Sequence, residues 1–321
     1  MTAFTWAGSV PWCGSSVAQS RPRRVPFQPS PSTRPRPEVM TALHRPRGHP
    51  NPMGRLVKLL LSAVLTASTA LIAACHSPRP DAHADNLDGI VHARIVRVCS
   101  TGDYEPLTYV DAQGQWSGLD IDLAHDLANR LGVALQLVQT TWSNVISDLD
   151  NRCDLAMGGI SITLDRAQKA RFSQPYLQDG KAAIARCAEA PKYRALADID
   201  QPGVRVVVNP GGTNADFDRA NLHRATIVNY ADNTTIFDEI ITGKADVMIT
   251  DATEIRWQAK QHPQLCGVDV DKPFNFAQKA YMIHRGATML QQWVNQWLNL
   301  VMHDGTYATI SQKWLGMVVG P

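Results

Sequence analysis

Between residues 243 and 257 a short apolar run, Val247 to Ile249, stops at Thr250 and Asp251 and gives way at once to a helical spacing. An apolar run that ends in capping residues and turns into a helix is the pattern of a buried parallel strand feeding a helix. The same alternation recurs along much of the chain. It predicts a strand at 95–99, a helix at 118–131 closing at Gly132, a strand at 133–139, a helix at 142–149 and a strand at 154–158. A second series follows, with strands at 204–209, 226–230 and 245–249 and helices at 213–222, 233–241 and 252–261.

Two strand–helix series of this length predict an α/β protein of two doubly wound lobes with a central cleft. Lobe 1 is expected at 90–184 plus 274–321, and lobe 2 at 185–273. The last stretch, with an apolar segment at 278–284 and helices carrying Trp293, Trp297 and Trp314, has no series of its own and must return to lobe 1. Small ligands bind in such clefts, where strand C-termini meet helix N-termini. Asp251 and Glu254 lie three apart at one of these junctions and face the same opening. The plainer alternative is a capping box, with Glu254 reaching back to the backbone N–H of Asp251.

Ahead of residue 90 the pattern changes. Residues 1–52 hold ten of the twenty prolines, seven arginines and one glutamate, without apolar periodicity. Such a stretch cannot bury enough surface to fold, and it reads as a disordered or spurious extension with Met53 as the true start. From Met53, Arg55 and Lys58 precede an apolar run up to Ala74, so 53–75 has the form of a signal peptide. Its end, Leu71-Ile-Ala-Ala-Cys75, resembles the lipobox of bacterial lipoproteins, which implies lipidation at Cys75 and a possible membrane anchor. Residues 76–89 then read as a tether. The apolar run is short for a membrane span. Export places the mature chain in the periplasm, lipid-anchored or free.

Export changes how charge and cysteine are read. The formal net charge is +2, but residues 1–52 contribute +6 and residues 53–75 contribute +2, leaving −6 for the rest. The basic balance therefore belongs to the leader and does not point to nucleic acid. Outside the cytoplasm disulfides persist, so Cys187 and Cys266 are the candidate bridge. Cys99 and Cys153, in apolar strand contexts, read as buried free thiols. No Cys/His spacing fits a metal site. Asn209-Pro-Gly-Gly-Thr-Asn214 lacks the Gly-Lys-Ser/Thr of a nucleotide loop, and no cofactor is expected. Oligomeric state is not legible.

Gly159-Ile-Ser-Ile-Thr-Leu-Asp-Arg166, followed by Phe172-Ser-Gln-Pro-Tyr176, resembles the amino-acid-binding family of extracytoplasmic solute-binding proteins, over about 90–318. The resemblance implies the periplasmic-binding-protein type II fold, with Arg166 clamping a ligand carboxylate, Ser161 beside it, and Asp251 holding a ligand amine. A guanidinium fork matches a carboxylate bidentately, which agrees. Further stretches, Thr101-Gly-Asp-Tyr-Glu-Pro106, Asp179-Gly-Lys181, Asp200-Gln-Pro-Gly203, Asn209 to Asn214 and Thr250 to Glu254, look like the periplasmic cyclohexadienyl dehydratases, which share that fold. That resemblance implies a decarboxylating dehydration of prephenate to phenylpyruvate, or of arogenate to phenylalanine, in phenylalanine biosynthesis.

The residues support that chemistry. The barrier lies in expelling hydroxide, which a general acid relieves. Glu254 is the candidate acid, its pKa raised by desolvation beside Asp251. A dianionic substrate needs cations and N–H donors. Arg166 takes one carboxylate, and the helix N-terminus at Thr213 and Asn214 offers donors for the other. Asn209 orients the hydroxyl or a carboxylate, and Lys181 adds charge, unless it is a surface lysine. Trp142 is a candidate wall beside the ring, and Asp103 sits at a strand end facing the cleft. The competing reading is a lipid-anchored amino-acid-binding protein of an ABC importer, which needs the same Arg166 and Asp251. A sensor domain for a membrane kinase is a distant third.

Overall fold

The computed structural model describes residues 86–320. The extension at 1–52, the signal peptide and Cys75 lie outside the described residues. Within them the chain forms two five-stranded sheets, one per lobe. In the first, the strand order is Ala134–Gln139, Ile95–Ser100, Leu155–Ala156, Met282–Ile283 and Arg171–Phe172. Ile95–Ser100 is parallel to both its neighbours, so the strand–helix–strand pattern became two parallel crossovers. Met282–Ile283 is antiparallel to both of its own, which fixes the late segment to lobe 1.

The second sheet runs Thr226–Asn229, Arg205–Val208, Val247–Asp251, Lys181–Arg186 and Leu265–Val268. Arg205–Val208 is parallel to Thr226–Asn229 and Val247–Asp251. Lys181–Arg186 is antiparallel to Val247–Asp251 along its length, with Asp251 opposite Lys181. That strand corrects the expected lobe boundary. Lobe 2 begins at Lys181, ahead of 185, because the whole strand is hydrogen-bonded into the second sheet. Leu177–Asp179 and Ala277–Lys279 pair in a two-stranded ribbon where the chain crosses between lobes.

Each sheet carries its helices on a buried apolar face. The helix Leu119–Leu131 presents Leu119, Leu123 and Leu127, one turn apart, to the core that includes Val98, Leu155 and Trp297. Each such leucine contributes roughly 1.5–3 kcal/mol by leaving water. Gly132 closes the helix as expected, in the left-handed conformation, its N–H bonded to Ala128 and Asn129. In lobe 2, Ile236, Phe237 and Ile240 cover one face of the sheet against Val207 and Met248.

Two expectations fail here. Residues 86–89, read as tether, belong to the helix Asn86–Ala93, whose Ile90 is buried in the lobe 1 core. Cys99 and Cys153 are not free thiols but a disulfide, with Cα atoms 5.7 Å apart. The parallel pairing of Cys99 with Ala156 delivers the two cysteines to one place, and nothing local announces it. A second disulfide joins Cys187 to Cys266, Cα atoms 4.7 Å apart, on adjacent antiparallel strands of lobe 2.

Candidate active site

The two lobes face each other over a cavity lined from both sides. Lobe 1 supplies Tyr104, Trp142, Gly159, Ser161 and Arg166; lobe 2 supplies Asn209, Gly212, Thr213, Asn214, Asn233 and Asp251. Of the residues expected at the site, Arg166, Asp251, Thr213, Asn214, Ser161, Trp142 and Asn209 line this cavity. Lys181, Glu254 and Asp103 do not.

Arg166 lies on the short helix Leu164–Ala167, capped by the Thr163 hydroxyl, which accepts from the Arg166 N–H. One guanidinium nitrogen donates to the Ser161 carbonyl at 3.0 Å. No carboxylate is within hydrogen-bonding reach of the guanidinium among the described residues, and burial lowers its pKa against the more distant charges of Asp216 and Asp251. A buried guanidinium with donors to spare has the geometry to receive a carboxylate bidentately.

Gly159 shapes the wall between Arg166 and Tyr104. A Cβ there would lie 2.3 Å from the Tyr104 ring, and φ is +68°, so only glycine fits. The turn is held from behind by Asp120, which accepts from the Gly159 N–H and the Tyr176 hydroxyl, both at 2.6 Å, and from the Tyr281 hydroxyl at 3.0 Å. Burial pushes the Asp120 carboxyl up to about 6, and these bonds restrain the rise.

Asp251 ends the central strand of lobe 2 and begins the helix Ala252–Gln261. Its side chain makes no capping bond. The capping-box alternative therefore fails, and both carboxylate oxygens turn towards the cleft. Oδ1 accepts from Lys181 Nζ at 2.9 Å. Oδ2 accepts from Lys279 Nζ at 2.5 Å and from the Tyr104 hydroxyl at 2.6 Å. Burial works against the charge, but the two ammonium groups prevail and hold the carboxyl well below the usual range.

Lys181 is not a surface lysine. It is 2% exposed, and burial lowers its pKa despite Asp251. Its three hydrogens go to Asp251, to Thr213 Oγ1 at 3.0 Å and to Asn214 Oδ1. Asn214 in turn donates to Thr250 Oγ1 at 2.9 Å, and that hydroxyl is bonded to the Glu254 carboxyl. Glu254 thus stands behind the wall formed by Asn214, 1% exposed, with its pKa raised to about 8. Burial is the main cause; the Thr250 bond opposes it and the Asp251 charge adds to it.

Asn209 spends its amide hydrogens on the carbonyls of Tyr230 and Ala231, leaving its oxygen as the group for the cavity. Asp103 sits at the lobe interface, where its carbonyl accepts from Asn233 of lobe 2 at 2.8 Å; burial raises its carboxyl. Trp142 packs edge-on against Tyr104, ring centroids 5.7 Å apart. The sequence reading missed Lys279, fully buried at the end of Ala277–Lys279 and bonded to Ser161 Oγ at 2.9 Å. It also left Tyr104 without a role. A lysine abutting the apolar stretch Ala280 to Ile283 was the one available signal.

The sequence profile of the bacterial extracellular solute-binding proteins, family 3, matches residues 96–317. The chain belongs to this family. It is 43% identical over 267 residues to the cyclohexadienyl dehydratase of Pseudomonas aeruginosa, covering 83% of this chain and 96% of that protein. It is 25% identical over 216 residues to the L-cystine-binding protein TcyJ of Escherichia coli K12, covering 67% of this chain and 80% of that protein. Among solved structures, an ancestral amino acid-binding protein described as a precursor of cyclohexadienyl dehydratase matches with a TM-score of 0.68 at 34% identity, over 72% of this chain and 100% of that one. The two doubly wound lobes are the periplasmic-binding-protein type II fold of this family. The solute-binding motif supplies Gly159, Ser161 and Arg166 to the cavity wall, and the stretches that resemble the dehydratases supply Tyr104, Asn209, Gly212, Thr213, Asn214 and Asp251; Trp142 and Asn233 belong to neither.

Proposed function

We propose that the chain is a periplasmic lyase that converts prephenate to phenylpyruvate, with water and CO₂ as the other products. The observation that carries this reading is Glu254, a buried carboxyl whose pKa is raised to about 8 and which is linked through Thr250 to a cavity-lining asparagine. A solute carrier has no use for a buried acid that keeps its proton at neutral pH. The 43% identity to a cyclohexadienyl dehydratase points the same way.

Arg166 takes one substrate carboxylate in its fork. The amides at the N-terminus of the helix Thr213–Asn221 face the second. Glu254 donates its proton to the departing ring hydroxyl, which leaves as water. The bond to the ring carboxylate breaks, CO₂ departs, and its electron pair completes the aromatic ring. Glu254 then regains a proton from solvent. Thr250 and Asn214 stand between Glu254 and the cavity; catalytic hydrogen bonds commonly tighten only when substrate is engaged, and this role requires the Asn214 wall to move aside in the complex.

The reading is tested by phenylpyruvate formation from prephenate, wild type beside Glu254→Gln. Turnover by the wild type with a loss of at least about a hundredfold in the variant is the expected result. Two inert proteins that both bind an amino acid tightly would establish the carrier reading, which the match to TcyJ favours.

A further inference from the structure

Asp120 is a buried carboxyl that the reaction proposed above does not use. It stands in the first turn of the helix Leu119–Leu131, 0% exposed, and its hydrogen bonds come from groups 39, 56 and 161 residues away. None of these is a cation. Oδ2 accepts from the Gly159 N–H and the Tyr176 hydroxyl, and Oδ1 accepts from the Tyr281 hydroxyl. The two rings are stacked with centroids 4.7 Å apart, and the Tyr176 carbonyl accepts from the Tyr307 hydroxyl.

Both sides of this cluster lead to Ser161. On one side Gly159 precedes Ser161 by two residues, and the Ser161 carbonyl accepts from the Arg166 guanidinium. On the other side Tyr281 follows Lys279 by two residues, and the Lys279 ammonium donates to Ser161 Oγ while its backbone pairs with Ser161. Backbone bonds from Ala280 to Ile160 and from Ile162 to Gln278 tie the two segments together. Asp120 therefore clamps both from behind.

We propose that Asp120 is a positioning residue of the carboxylate site: as an anion it holds the Gly159 turn and the Tyr281 segment where Arg166 can receive a ligand carboxylate, and on protonation it relaxes that hold. This role rests on Arg166 receiving a carboxylate, which the reaction proposed above and the carrier alternative both require.

Every hydrogen-bond partner of Asp120 is a donor. A neutral carboxyl adds a hydrogen of its own to that set, and its bonds lose the charge that makes them roughly twice as strong. A hydroxyl can turn away, whereas the Gly159 N–H cannot. The groups facing Asp120 from the elements packed on it are Tyr176, Tyr281, Tyr307 and the Lys279 ammonium. Burial and the Asp120 charge hold all three hydroxyls above their ordinary values, so on acidification the cluster takes up its proton at Asp120, at about pH 6. The sign of the effect on binding is diagnostic. Removing a negative charge near an anion site strengthens anion binding through space, whereas losing the held geometry weakens it.

Phenylpyruvate and L-phenylalanine, which both carry a carboxylate, are the probes, titrated by calorimetry between about pH 5 and 7.5. Whichever binds the wild type is expected to lose roughly three- to tenfold in affinity across that range, because only about a tenth of the molecules keep Asp120 ionised at the acid end. Asp120→Asn should bind at least about tenfold more weakly at pH 7.5 and lose this acid limb. Tyr281→Phe removes one donor without changing the charge, and it should move the limb up by about one pH unit. A merely structural role would lower the melting temperature and leave that midpoint in place. In the ligand-free wild type the Gly159 amide, followed by NMR with 15N-glycine labelling, should titrate with the same midpoint. The proposal is overturned by tighter binding at acid pH, by a limb that Tyr281→Phe does not move, by a Gly159 amide unmoved across the range, or by a wild type that binds neither probe. None of these outcomes needs Asp120→Asn to fold. If the profiles behave as expected and prephenate is not turned over, the reaction is wrong and the role of Asp120 stands.

Discussion

Tyr104 of lobe 1 donates its phenolic hydrogen to Asp251 of lobe 2 at 2.6 Å, across the cleft and between residues 147 positions apart. Burial, and then the charge of Asp251, hold the Tyr104 hydroxyl well above its ordinary value, so it stays a donor at any working pH. Hydrogen bonds to charged groups contribute about 1.5–3 kcal/mol. Tyr104→Phe should weaken phenylpyruvate binding about tenfold or more through a less populated closed arrangement. Calorimetry with small-angle scattering checks this; unchanged affinity and unchanged radius of gyration would remove Tyr104 from the closure.

A second contact across the cleft is steric. Gly211 has φ of +90°, and a Cβ there would stand 2.1 Å from Ser143 Oγ of lobe 1. Gly211→Ala adds left-handed strain of roughly 1–2 kcal/mol, turns the Ser143 hydroxyl aside and presses on the Ser143 backbone nitrogen across the cleft, 3.1 Å from the added Cβ. Ligand affinity should fall at least tenfold, with only a modest drop in melting temperature. A variant that binds as the wild type does would show that the loop yields freely.

Glu254 gives two pH dependences of known sign. Its folded value of about 8 exceeds the ordinary 4.5, so between those pH values the folded protein holds a proton that the unfolded chain has lost. Stability therefore falls with rising pH across that window, by up to ~1.4 kcal/mol per pH unit. Glu254→Gln should flatten this slope and gain relative stability towards pH 8, as read by denaturant unfolding at several pH values. Turnover, which needs the protonated acid, should decline as pH rises through about 8. A rate constant rising through that range would contradict the acid role.

The two disulfides should respond differently to reductant. Cys99 and Cys153 are buried at 0% and 2% exposure, whereas Cys187 and Cys266 are both partly exposed. Mild reductant followed by alkylation and mass spectrometry should label Cys187 and Cys266 first. Replacing Cys99 and Cys153 by serine opens a loop spanning 54 residues, worth about 4 kcal/mol in the chain-entropy account. Simultaneous labelling of all four cysteines in the folded protein would argue against this order.

Much of the fold was legible because the signals are local. Buried parallel strands leave apolar runs, and helices leave a 3.6-residue spacing with caps such as Gly132, so both strand–helix series and the cavity motif could be read from neighbouring residues. Arg166 and Asp251 lie at junctions that any doubly wound lobe aims at its ligand. What escaped was set by contacts remote in sequence. Lys181–Arg186, short and alanine-rich, carries no strand signature and becomes one only between two antiparallel partners. Cys99 meets Cys153 through the pairing of parallel strands.

The charge state of the site was likewise undecided by sequence. Asp251 and Glu254 are two acids three residues apart, and their spacing says nothing about which one ionises. Lys279, 28 positions beyond Asp251, and Tyr104, 147 before it, arrive only when the ribbon and the lobes assemble. They leave Asp251 charged, while Glu254, without a cation bonded to it, is buried behind Asn214 and keeps its proton. The sequence by itself determined the elements and which residues stand at their ends. Tertiary structure decided which charges meet, because in a buried site the ionisation of each group depends on partners that only the folded chain brings within reach.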